Sequence, residues 1–342
     1  MSWNDHLNHC SVSQAGGFVS LSHYLTSSCL MLKQHFCSTP AKELLSRDKT
    51  LVVMPLTSQC EPYGEGLIAT GLEEADAHPV NETWSVSETV TRGQSGRCYW
   101  SETNNLICVA HWLSKDECEQ IEQSTQFAYE AILAVLDEHK FPHPFRFWNY
   151  LPGINVGNGD DEVYKKFCTG RLKAFESRGI SAQAFPAASA LGHHSDGAVF
   201  YVFASRARPR HFNNHRQVNS YDYPRQYGVT SPSFARATAL SLNTSHFLFI
   251  SGTASITGHQ TLGEDDIEKQ LTVTMENIRH LLDTANPDNR ELATFKVYIR
   301  HAHHLAFIRH WLTTHYPQVE AVYTLADICR KDLLVEIECF CD

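Results

Sequence analysis

The chain has no apolar run approaching the roughly 20 residues that a membrane-spanning helix needs. It also has no basic excess: 28 Lys and Arg stand against 38 Asp and Glu, a formal charge of -10. The first absence argues against a membrane partner. The second argues against a nucleic-acid partner, which requires a basic face. The eleven cysteines include no CxxC pair. Cys339-x-Cys341 fits neither a zinc ribbon nor a thioredoxin motif, so reduced thiols in a cytoplasmic protein are expected. The N-terminus lacks a basic n-region and a continuous apolar core, because Asp5, His6 and His9 lie there. No secretory leader is expected. The glycines of SGTASITGH match neither a P-loop nor a dinucleotide fingerprint, so no nucleotide cofactor is implied. His301, His303 and His304 form an HxHH run, but no carboxylate follows at a recognised ligand spacing, and no metal is expected.

What is present is an order of elements written twice. Between Leu106 and Ala204 come LICVAHWL, a helix, FRFWNYL, a second helix and GAVFYVFA. Between Phe247 and Cys339 come FLFISGTASI, a helix, FKVYIRH, a helix and LLVEIEC. A β-α-β-α-β unit repeated in this way defines architecture better than any single motif. Ser114 and Glu117 have the spacing of a capping box, and Ile121, Tyr129, Ile132 and Leu136 fall on one helical face. In the second copy Asp265 and Asp266 mark a helix start, and Ile267, Leu271, Met275, Ile278 and Leu282 form the buried stripe. LVVMPL and LIATGL upstream are β-like. Between the copies, residues 207–237 are rich in Arg, Tyr, Asn and Pro and have little periodicity. A connection of this length is functional or disordered, and its arginines and tyrosines point to an ordered binding loop; a polar surface connection is the plain alternative. The divisions are thus a 1–45 extension, a 46–206 unit, a 207–237 linker and a 238–342 unit.

Only the second copy ends in a strand with two carboxylates. Residues two apart in a strand share a face, which puts Leu334, Glu336 and Glu338 together and Val335, Ile337 and Cys339 opposite. One side packs on helices. The other meets solvent, a subunit or a cleft, so Glu336 is either a solvated carboxylate or a general acid in a partly desolvated pocket. Arg309 on the last helix, Arg171 on the matching helix of the first copy, and Arg216, Arg225 and Arg236 in the linker are candidate carboxylate ligands, since a guanidinium donates two parallel hydrogen bonds. Cys329 precedes the acidic strand and, taken alone, is compatible with a small buried hydrophobe.

From about 230 to 340 the chain resembles the RidA/YjgF superfamily, through a strand leading into SGT, a helix with the QL...T..NI..LL pattern, FKVYI and LLVEIE. Over its whole length it resembles the chorismatases, through FWNYLPGIN (147–155), YKKFCTGRLKAF (164–175), FPAASALG (185–192), YDYPRQYG (221–228), FARA (234–237) and FISGTASITGH (249–259). The resemblance implies an α+β fold of two RidA/YjgF-like, chorismate-mutase-like units, with mixed sheets and helices packed on one face. It implies chorismate as substrate and no cofactor. Glu336 takes the place of the catalytic glutamate that protonates the methylene carbon of the enolpyruvyl ether. Arg309, Tyr221 and Tyr227 would hold carboxylates, with Arg171 from the first copy, and Arg216 and Glu338 as further substrate contacts. A cysteine before the catalytic strand marks the aromatising subgroup. Cys329 therefore implies pyruvate and 3-hydroxybenzoate, with 4-hydroxybenzoate as a second product. The alternatives are a hydrolytic chorismatase that forms 3,4-dihydroxycyclohexa-1,5-diene carboxylate, and a RidA-like ligand-binding protein without activity. An ordinary imine deaminase is not expected, because no Lys or Arg lies between Trp311 and Cys329. Monomer and homotrimer both remain open.

Overall fold

The computed structural model describes residues 31–60, 64, 66–76, 78–286 and 290–342. Two seven-stranded sheets dominate it, and their central strands run in matching order. In the first unit that order is Ala187–His193, His143–Pro152, Ala198–Ser205, Leu106–Leu113, Cys98–Glu102. In the second it is Glu320–Leu325, Leu292–Ile299, Val335–Cys341, Ser245–Ala254, Ala237–Leu242. Each unit has one parallel pair, 143–152 with 187–193 and 292–299 with 320–325; its remaining pairs are antiparallel. The sheets are mixed, and each carries its helices on one face.

The β-α-β-α-β order is present in both units, with strands added to it. Ala187–His193 (AASALGH) is not evident from composition, and Glu320–Leu325 (EAVYTL), though its Val, Tyr and Thr favour a strand, stands outside the repeated order. Ala, Ser and Gly are poor strand formers by themselves, and a parallel neighbour stabilises Ala187–His193. In LIATGL, Leu67 bridges Val53, and Gly66 just before it and Gly71 within it adopt φ of 92° and 74° and turn the chain. Residues 32–37, inside the segment read as an extension, form a strand that pairs with Asn81–Val86, which also pairs with Thr50–Pro55. Residues 1–30 lie outside the described part.

Local signals account for the helices. Ser114 Oγ accepts from the Glu117 amide, and the Glu117 carboxylate accepts from the Ser114 amide. This capping box starts a short turn, Lys115–Cys118, ahead of the long helix Ile121–Glu138. Asp266 caps Ile267–Ala285 by accepting from the Lys269 amide at 3.0 Å. Ile121, Tyr129, Ile132 and Leu136 are buried under the first sheet, and Leu271, Met275 and Ile278 under the second. Ile267 and Leu282 pack at the edge of that second core.

The helix-free faces of the two large sheets meet each other and the three-stranded sheet in a third core. Trp84 of the small sheet stacks on Phe249 and meets Trp148, Phe203 and Phe340 edge-on, with centroids 5.0–6.1 Å away. Aromatic edge-to-face contacts of this kind add to plain area burial. The two units are therefore fastened by a common interior, and the cleft at its margin is a junction between them. No helix among the described residues is long and apolar enough to cross a membrane. The nine described cysteines are unpaired.

Candidate active site

The terminal strand Val335–Cys341 decides what its acidic residues face. Val335, Ile337, Cys339 and Cys341 join the core under the helices of the second unit, while Phe340 lies in the core between the sheets. By alternation, Glu336 and Glu338 point with Phe340 toward the first unit. A solvated face is excluded, because Glu336 is 4% and Glu338 5% exposed. The two carboxylates have different surroundings. Glu338 Oε1 accepts from Trp148 Nε1 at 2.9 Å, and Oε2 accepts from Arg146 Nη2 at 2.6 Å and from Ser189 Oγ at 2.7 Å. Among the described residues nothing donates a hydrogen bond to Glu336. Its carboxyl lines a cavity of about 270 Å³.

Both units and the linker build this cavity. The first unit supplies Tyr164, Arg171 and Ser189, the linker Tyr223, Tyr227 and Arg236, and the second unit Gly252, Cys329, Arg330 and Glu336. Three arginines converge on it, each with a buried donor that has no protein acceptor: Nε and Nη2 of Arg171, Nε of Arg236 and Nη2 of Arg330. Buried guanidinium donors without partners are costly, so they mark a place prepared for an anion. The remaining contacts of these side chains fix their direction. Arg171 lies over the Phe167 ring at 4.8 Å. Arg236 donates to Tyr223 OH at 2.7 Å. Arg330 donates to the His259 carbonyl and rests on the rings of Tyr227 and Tyr223 at 4.0 and 5.2 Å.

Burial, and then the charge of Glu338, push the Glu336 carboxyl up to about 8, against the opposing pull of Arg146, Arg236 and Arg300. Glu336 is thus a neutral acid at neutral pH, in a pocket where Lys165, Arg171, Arg236, Arg330 and Lys331 outweigh the carboxylates of Glu162 and Asp332. Burial also pushes the Cys329 thiol up to about 12, and Glu336 adds to this. Cys329 is therefore a thiol and not a thiolate.

Arg300, at the end of Leu292–Ile299, shapes the segment that carries Cys329 and Arg330. Its guanidinium donates to the carbonyls of Ile328, Arg330 and Leu333 and to Asp327 Oδ1 at 2.6 Å. Asp327–Ile328 meanwhile pairs with Ala187–His193 of the first unit, so one short segment crosses the junction. Gly252 supplies the remaining space: a Cβ there would overlap Glu336 Oε1.

Of the expected site residues, Glu336, Cys329, Arg171, Tyr227 and the linker candidate Arg236 meet in the cavity, while the linker candidate Arg225 pairs with Asp160 at the surface. Four others lie elsewhere. Arg309 pairs with Asp76 and covers the Tyr323 ring. Although its helix matches that of Arg171, it does not line the cavity. Arg216 binds Glu276 and Asn277. Tyr221 accepts from Asn213 and packs on Phe185, two residues from the cavity-lining Tyr223. Both oxygens of Glu338 are engaged, by Arg146, Ser189 and Trp148, and it does not line the cavity. Sequence periodicity identifies a helix or a strand face but not which interface receives it. The site also contains Arg330, Tyr223, Ser189 and Gly252, none of which the sequence reading chose as site residues. Their only signal was membership of YDYPRQYG, FPAASALG and FISGTASITGH, or, for Arg330, adjacency to Cys329.

Comparison with known proteins agrees with this architecture. Residues 82–204 match the family model described as "Chorismatase FkbO/Hyg5-like, N-terminal", and residues 232–341 match "Endoribonuclease L-PSP". A 3-hydroxybenzoate synthase of Streptomyces hygroscopicus is 32% identical over 309 residues, covering 84% of this chain and 90% of that protein. A chorismatase of Streptomyces rapamycinicus is 34% identical over 272 residues, covering 75% and 80%. A chorismatase crystal structure superposes with a TM-score of 0.82 at 26% identity, over 91% of this chain and 98% of that one. Sequence and fold together place this chain in the chorismatase family.

Proposed function

We propose that the protein cleaves the enolpyruvyl ether of chorismate, releasing pyruvate and a hydroxybenzoate, with Glu336 as the acid. The observation that carries this reading is the pairing of a neutral buried carboxyl with three arginines that line the same cavity and keep donors without a protein acceptor. Chorismate has two carboxylates and an electron-rich vinyl ether. Arg171, Arg236 and Arg330 suit the carboxylates because they stay charged and do not compete as acids. Glu336 gives its proton to the methylene carbon, whose π electrons form the new C–H bond. The ether carbon becomes an oxocarbenium ion, and the cleft excludes bulk water around it. The hydroxyl oxygen of the neighbouring ring carbon then attacks the ring carbon that bears the ether. The new C–O bond forms as the ether bond breaks, and pyruvate leaves with the ether oxygen as its keto oxygen. The hydroxyl proton returns to the Glu336 carboxylate, and opening of the resulting epoxide with a ring-proton shift gives the aromatic phenol. Pyruvate plus 3-hydroxybenzoate accounts for every atom of chorismate without added water.

Cys329 favours the aromatising outcome, since a neutral thiol beside Glu336 occupies part of the wall where a water would otherwise stand. A relative named 3-hydroxybenzoate synthase points the same way. The hydrolytic reading keeps support from relatives named only as chorismatases, and it predicts a non-aromatic diol. Incubation with chorismate, with coupled detection of pyruvate and chromatography of the ring product, separates these outcomes. Chorismate bound but left intact would instead support a ligand-binding protein.

A further inference from the structure

Behind Glu336 lies a closed hydrogen-bond cluster that the proposed reaction does not itself require. Ser189 Oγ donates its single proton to Glu338 Oε2 at 2.7 Å, and accepts from Arg146 Nη2 at 2.7 Å and from the Gly252 amide at 2.9 Å. The hydroxyl therefore has no donor or acceptor capacity left. Arg146 Nη1 is held by the Phe147 carbonyl, and Trp148 Nε1 by Glu338. The Gly252 amide belongs to the residue whose missing Cβ leaves room for Glu336 Oε1. The donors on this side of Glu336 are thus turned toward Glu338, Ser189 or the Phe147 carbonyl.

We propose that Ser189, Glu338 and Arg146 are positioning residues that withhold hydrogen-bond donors and positive charge from Glu336. The inference rests on Glu336 being the acid of the reaction proposed above. A carboxylate with no donor is destabilised relative to its protonated form, whereas a backbone amide or an uncompensated guanidinium would favour ionisation. Glu338 neutralises Arg146 and also adds a like charge next to Glu336. From the other elements packed around the acid, Arg236 closes the linker side, Arg300 follows the strand Leu292–Ile299, Cys329 and Arg330 lie on the segment before the terminal strand, and Glu162, Lys165, Arg171, Lys331 and Asp332 line the same cavity. Beyond Glu338, Lys296 is bound to Glu82 and Tyr150, which leaves the Arg146–Glu338 pair as the charge nearest the acid on that side.

The test uses the unliganded full chain. Infrared difference spectra across a pH titration follow the C=O stretch of a protonated carboxyl, and Glu336→Gln identifies the band. Ser189→Ala removes the acceptor that holds the Gly252 amide, and Glu338→Gln leaves Arg146 uncompensated. In both variants the band is expected to vanish at lower pH than in the parent, by roughly one unit or more. The alkaline limb of kcat/KM should move with it. A merely structural role would reduce activity equally at all pH values and leave the band midpoint unchanged. Such a midpoint in Ser189→Ala overturns the inference, even if Glu338→Gln fails to fold. A parent that titrates near neutrality but does not consume chorismate would sink the proposed function while leaving this answer intact.

Discussion

At the scale of single residues, the site depends on keeping one carboxyl neutral where others would ionise. Because carbon protonation uses the acid form, the rate should be level below the Glu336 midpoint of about 8 and fall about tenfold per pH unit above it. Glu336→Gln should remove pyruvate release by at least roughly two orders of magnitude and leave chorismate affinity nearly unchanged, because the arginines that bind the anion remain. A pyruvate-coupled assay beside calorimetric binding checks both halves, and normal turnover would place the acid elsewhere. Cys329→Ala bears on the product alone. It should open the wall to water and shift the ring product from hydroxybenzoate toward the diol. An unchanged product ratio by chromatography would remove the thiol from the mechanism.

Among the structural elements, the segment 327–333 ties the units to each other. It carries Cys329 and Arg330, pairs with a strand of the first unit and hangs on one guanidinium of the second. Hydrogen bonds to a charged group contribute about 1.5–3 kcal/mol each, so Arg300→Gln should loosen the segment without unfolding the protein. A roughly tenfold or greater rise in KM, together with faster amide exchange confined to 327–333, is the expected outcome. Exchange spread evenly over the chain would point to general destabilisation. Elements of this kind were only half legible in advance. The stripe Leu271–Met275–Ile278 and the capping box at Ser114 depend on neighbours three or four residues away, and such local patterns survive in any tertiary setting. Ala187–His193 has no comparable local signature, and Glu320–Leu325 has only the strand preference of Val322, Tyr323 and Thr324. They become strands through partners some forty and some twenty-five residues earlier in the chain.

For the molecule as a whole, the three-stranded sheet supplies what two repeated units lack. Each large sheet has an apolar helix-free face, and the small sheet covers what the other large sheet does not. Its polar anchor is Glu82, which binds Lys296 Nζ at 2.5 Å with both side chains 0% exposed, and also accepts from Gln34 and Trp84. Lys296→Met should cost about 3–5 kcal/mol of stability in chemical denaturation, because an uncompensated carboxylate stays buried. A loss below about 1 kcal/mol, the range of exposed pairs, would show that the pair does not anchor the sheet. Since these faces meet within one chain, sedimentation should give the mass of a single chain. A threefold mass would mean that further copies are needed to cover them.

Sequence by itself determined the doubled order of elements, the helix starts marked by the capping box at Ser114 and by Asp266, and the alternation that sets Glu336 opposite the helices, because each follows from contacts over a few residues. Tertiary structure alone decided which of the matched helices turns its arginine to the junction, so that Arg171 has free donors while Arg309 is paired with Asp76. It also separated two glutamates that are equivalent by alternation into an acid at a cavity and a partner of Arg146. The physical reason is that charge, solvation and hydrogen-bond saturation at a side chain are set by residues 150 to 230 positions away. No period in the chain records those neighbours.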